Sequence, residues 1–113
     1  MIWLRLLIEY GAYPIWIYDE DGGVIDTDVP EEWQDDKILC DMLDSIQEQY
    51  ESLFINTEKE FSFVGFKSRA KADDFMSLLK KAIDYIILKN NGKYELKNSI
   101  DKDFFSRLYT GEE

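Results

Sequence analysis

A chain of 113 residues with 45% hydrophobic and 15% aromatic content suits one domain, which would bury roughly two-thirds of its unfolded surface, and argues against disorder. One cysteine excludes an internal disulfide framework and a cysteine-rich zinc site, and the lack of histidine removes the usual general base, triad chemistry and the commonest transition-metal ligand. The formal net charge of −11 is concentrated in residues 6–58, where fifteen acids face one base, Lys37; such a field repels nucleic-acid backbone and anionic membrane and steers a basic partner.

The opening run Met1-Ile2-Trp3-Leu4-Arg5-Leu6-Leu7-Ile8-Glu9 lacks a basic leader, is broken by Arg5 and Glu9, and precedes no small-residue cleavage site. A cytoplasmic protein is expected. Gly11-Ala12 reads as a two-residue hairpin loop with glycine at the first position of a type II′ turn. That loop sets Tyr10 opposite Tyr13, Ile8 opposite Ile15 and Leu6 opposite Ile17, an aliphatic face suited to the core. The other face pairs Leu7 with Trp16, Arg5 with Tyr18 and Trp3 with Glu20. Its aromatics are either covered or used, and Phe104-Phe105 is the segment expected to cover them. A turn at Asp21-Gly22-Gly23 leads into a third strand, Val24-Ile25-Asp26.

Asp28 or Val29 caps a short helical start at Pro30. The main helix is expected from Asp35-Asp36 to about Phe54, with Leu39, Met42, Leu43, Ile46, Tyr50, Leu53 and Phe54 as its apolar stripe. A strand over Glu60–Phe66 follows. Ser68 then caps a second helix running to about Lys89, with Ala72, Phe75, Leu79, Ala82, Ile83 and Ile86 inward and Asn91-Gly92 as its stop. Lys93–Lys97 is a last short strand, and Phe104, Phe105, Leu108 and Tyr109 make an apolar tail. The order β-β-β-α-β-α-β predicts a single α+β domain over residues 1–113. Its architecture is a two-layer sandwich, an antiparallel meander followed by α-β-α-β with two long helices on the sheet.

Candidate chemistry is sparse. No nucleophile elbow, phosphate loop, dinucleotide fingerprint or C-x-x-C is present, so no enzyme, no catalytic residue and no cofactor is expected. Cys40 borders the apolar stripe and reads as a packing residue. The acids Asp19, Asp21, Asp26 and Asp28 invite a calcium loop around Gly22, yet Ile17 takes the first ligand position and Asp28 the place of the bidentate glutamate. A solvated turn is expected there, with no metal.

The main helix carries the functional signal. Asp41, Asp44, Glu48 and Glu51, spaced three, four and three apart, line one exposed stripe. Only Lys37 offers an i,i+4 partner, to Asp41. Asp44 and Glu48 repel by about 0.2–0.5 kcal/mol, and Glu48 and Glu51 sit at the negative end of the helix dipole. The second helix mixes Arg69, Lys71, Lys80 and Lys81 with Asp73, Asp74 and Asp84. One reading is a soluble face; the other is a surface that takes cations from a partner.

The pattern Glu9-Tyr10-Gly11-x-Tyr13-Pro14-x-Trp16-x-Tyr18-Asp19-Glu20-x-Gly22, with Ile25-Asp26 and Pro30-Glu31-Glu32, resembles small acidic immunity proteins, encoded beside secreted bacterial toxins. The resemblance covers about the first half of the chain. It implies a non-catalytic protein that occludes the basic active-site surface of a cognate toxin domain, such as a nuclease, in bacterial competition. Asp41, Asp44, Glu48, Glu51, Trp16 and Tyr18 are then the expected partner-binding residues, with no nucleic acid and no membrane as partner. An acidic adaptor and a nucleic-acid mimic acting on a basic partner remain open alternatives.

Overall fold

The computed structural model describes residues 2–100 and Leu108. The N-terminal hairpin joins β1 (Trp3–Leu6) to β2 (Ile15–Tyr18) in antiparallel register, with Trp3 opposite Tyr18, Leu4 opposite Ile17 and Leu6 opposite Ile15. This differs by two residues from the register expected of a Gly11-Ala12 loop. An isolated bridge pairs Glu9 with Ala12, so Tyr10-Gly11 forms the loop. Gly11 has φ +78° and takes the second central position, the one that requires φ > 0 in a type II turn. A two-residue shift preserves strand parity. Leu4, Leu6, Ile8 and Ile15 therefore still point into the core, as the alternation demands.

β3 (Val24–Thr27) pairs antiparallel with β2, and a bulge leaves Ile25 as the extra residue. That bulge and the charge of Asp26 blunt an exposed sheet edge. The turn before β3 is held by Asp19, whose Oδ1 accepts from the backbone N–H of Asp21 and of Gly23, each at 2.9 Å.

After a 3-10 turn (Glu31–Trp33) comes α1 (Lys37–Glu51), capped by Asp36, whose carboxylate accepts from Leu39 N–H at 3.1 Å. The helix stops at Glu51, three residues short of the expected Phe54. Phe54 opens β4 (Phe54–Asn56), which pairs antiparallel with β5 (Phe61–Phe63). Aromatic residues pack well across strand pairs. Thr57 Oγ1 closes the connection by accepting from Lys59 N–H at 3.3 Å and Glu60 N–H at 3.1 Å. The order is thus β-β-β-α-β-β-α-β, one strand more than expected.

Ser68 caps α2 (Arg69–Asn90) as the sequence predicts, and Asn91 ends it in the left-handed conformation at φ 44°. β6 (Glu95–Asn98) then lies parallel to β1, giving a four-stranded mixed sheet of order β3-β2-β1-β6 beside the two-stranded β4-β5 sheet. The fold class is α+β.

One apolar core gathers Leu4 and Ile15 from the sheet, Leu39, Leu43 and Ile46 from α1, and Phe75, Leu79, Ala82 and Ile86 from α2. Phe75 is fully buried, and sequestering a side chain of that size stabilises the fold by about 2 kcal/mol. Leu108 is also buried, and its carbonyl accepts from Phe66 N–H at 2.7 Å. Phe104, Phe105 and Tyr109, with the expected cover over Trp3, Trp16 and Tyr18, lie outside the described residues.

Candidate functional site

The exposed side of α1 is positioned from both ends. At its start, Asp36 Oδ2 accepts from the Tyr85 hydroxyl at 2.7 Å and pairs with Lys89 Nζ at 2.9 Å. Both partners belong to the C-terminal part of α2, so the two helices run antiparallel. The Tyr85 hydrogen bond, the Leu39 N–H and the Lys89 charge together bring the Asp36 carboxyl down to about 2. Nearby, Glu32 pairs with Lys93 at 2.7 Å and accepts from the Tyr94 hydroxyl, and its carboxyl also falls to about 2, chiefly through Lys93.

Along the helix, the four acids of the stripe have different neighbours. Asp41 pairs with Lys37 at 2.9 Å across one exposed turn. Asp44 Oδ1 accepts from the Tyr13 hydroxyl at 2.8 Å; burial first, and then this carboxylate, raise the Tyr13 phenol above its ordinary range. Glu48 is exposed and its side chain has no bonding partner among the described residues. Glu51 Oε2 accepts from Gly11 N–H at 2.7 Å and from the Gln47 amide at 2.9 Å.

Asp44 and Glu51 therefore fasten the N-terminal hairpin to α1, a duty that helical spacing alone does not reveal. Each of the three bonded carboxylates uses one oxygen, and the other oxygen accepts nothing among the described residues. Asp41, Asp44 and Glu48 remain exposed.

Trp16 and Tyr18 are elsewhere. Ile15 shares the core with α1, so its neighbour Trp16 and the like-facing Tyr18 point to the opposite side of the sheet. Tyr18 is only 7% exposed. Its ring stacks on Trp3 at 4.1 Å, its hydroxyl accepts from Arg5 Nη1 at 3.3 Å, and Lys97 Nζ sits 4.4 Å from the Trp3 ring centre. Trp16 is half-buried, with its indole N–H enclosed and without a partner among the described residues. The structure thus joins the four α1 acids and separates them from the two aromatics.

A cluster that sequence reasoning missed lies at the C-terminal end of α1. The rings of Tyr10, Tyr50, Phe61 and Phe63 each contact Phe54, and Tyr10 also contacts Phe61, with centre separations of 4.9–5.4 Å. Its signal was the alternation Phe61-Ser62-Phe63 after the run Phe54-Ile55-Asn56, separated by four polar residues, a hairpin pattern.

Burial raises the Cys40 thiol, helped by the Asp44 charge, as suits a packing residue. Among the described residues no three His, Cys, Asp or Glu side chains are grouped to hold a metal, and no helix is long and apolar enough to cross a membrane. No protein-family model and no curated protein sequence matches this chain.

Proposed function

We propose that this chain is a non-catalytic inhibitor that neutralises a cognate toxin domain by covering a basic active-site surface, in the manner of small acidic immunity proteins. One observation carries the reading: Asp44, Glu48 and Glu51 have no lysine or arginine partner among the described residues. Asp44 accepts from a hydroxyl and Glu51 from a backbone amide and a side-chain amide, none of which cancels charge, and Glu48 accepts from nothing among the described residues. An acid-dense helix face held rigidly by such donors presents negative potential to arginines and lysines that otherwise grip a phosphate backbone.

The test is co-expression with the C-terminal domain of a toxin encoded in the neighbouring reading frame. Growth restored by this chain, with the purified pair forming a stable complex, is the expected result. Unrelieved toxicity with both proteins soluble would remove the proposal.

A further inference from the structure

The aromatic cluster at the far end of α1 is unlike the rest of the surface. Phe61 is 58% exposed, Phe63 40% and Tyr10 37%, although all three belong to one continuous set of ring contacts. Phe61 lies parallel to Phe54, interplanar angle 13°, so one of its faces is used internally while the other is available. The patch is held in place: Asn56 Nδ2 donates to the Tyr10 hydroxyl at 3.0 Å, and Glu51 grips the adjacent Gly11 N–H.

Its neighbours in the chain are acidic. Glu9 precedes Tyr10, Glu51 bonds the same loop, and the exposed Glu58 and Glu60 lie in the β4–β5 connection, where Lys59 is the one cation. We propose that Tyr10, Phe61 and Phe63 form the anchoring centre of the partner-binding surface, and that its occupant is an arginine-bearing segment of a basic protein. The proposal rests on the reading above that the partner is basic, and it names how that partner is held.

The chemistry selects arginine. A guanidinium is planar and weakly hydrated, stacks on an aromatic face, and keeps its N–H groups free for carboxylates in its own plane. An ammonium ion loses more hydration on such a patch and offers no flat face. Aromatic anchors ringed by charge are also the usual composition of binding hot spots. A second copy of this chain is a poor occupant, because each copy carries −11 and would bring its acids against its twin's. Anionic lipid is disfavoured by the same field.

Aromatic-carbon NMR spectra of the intact protein, titrated at low salt with blocked hexa-arginine and hexa-lysine peptides, test this directly. The expected result is perturbation centred on the Tyr10, Phe61 and Phe63 rings, with arginine bound at least roughly threefold more tightly than lysine. Phe61→Ala should erase that preference, and Phe61→Leu, which keeps apolar bulk without a ring face, should do the same in a folded protein. Equal affinities with changes confined to the Tyr13 ring, whose hydroxyl bonds Asp44 in the α1 stripe, would overturn the aromatic anchor while leaving a basic partner in place. Binding of neither peptide would overturn both readings. Ring shifts that grow with protein concentration alone would replace the basic partner at this patch with a second copy.

Discussion

The two ends of α1 treat their acids in opposite ways. At the N-terminal end, Asp36 and Glu32 receive Lys89 and Lys93 together with the hydroxyls of Tyr85 and Tyr94. Toward the C-terminal end, Asp44 and Glu51 receive a tyrosine hydroxyl, a backbone N–H and a glutamine amide, and Glu48 receives nothing among the described residues. Asp44 and Glu51 accept hydrogen bonds as Asp36 and Glu32 do, but charge is neutralised only at the first end. The first end reads as structure, where Asp36 joins α1 to α2 and Glu32 ties the 3-10 turn to the segment after α2. The second keeps its field, and it adjoins the exposed rings of Tyr10, Phe61 and Phe63.

The structural end of α1 depends most on Asp36. Asp36→Ala removes a helix cap and leaves Lys89 and Tyr85 without their acceptor, so a loss of about 2 kcal/mol is expected in chemical denaturation. A change below about 0.5 kcal/mol would place Asp36 among ordinary surface acids.

Acid titration sharpens the same contrast. Asp36 and Glu32 fall to about 2 in the folded chain from ordinary values of 3.8 and 4.5. Depressed carboxyls bind protons more weakly when folded, so their contribution is present above the unfolded values and disappears as pH falls through the folded ones. Thermal stability should therefore drop between about pH 4.5 and pH 2, and Asp36→Asn with Glu32→Gln should flatten that drop. An unchanged slope in the double variant would show that these pairs do not govern acid sensitivity. Glu32 lies at the surface, where solvent screening reduces its share.

Much of this arrangement was legible in residue order, and the failures have local causes. Parity of the N-terminal hairpin followed from alternation, but its register depended on which loop position Gly11 fills, and glycine serves both type II and type II′ turns. The end of α2 was readable because Asn91-Gly92 is a strong stop. The end of α1 was not: Leu53 and Phe54 continue the helical period, and Ser52 keeps right-handed helical geometry at the cap. The parallel place of β6 beside β1 is a non-local choice that no nearby residue announces. The acids tell the same story. Spacing identified the stripe, whereas Tyr13 on Asp44 and Tyr85 on Asp36 come from residues 31 and 49 positions away.

The association rate with the cognate toxin domain, measured by stopped flow at low and high salt, tests the uncompensated stripe most directly. The comparison is between the wild type and Asp44→Asn with Glu48→Gln. In that variant the new amide's carbonyl oxygen still accepts from Tyr13, and removal of the Asp44–Glu48 repulsion should leave stability unchanged or raised by up to about 0.5 kcal/mol. The wild-type rate should fall by about tenfold or more as salt screens the interaction, while the variant starts slower and falls less. Equal rates for both proteins at every salt concentration would contradict the account and leave the α1 acids as a solvated face.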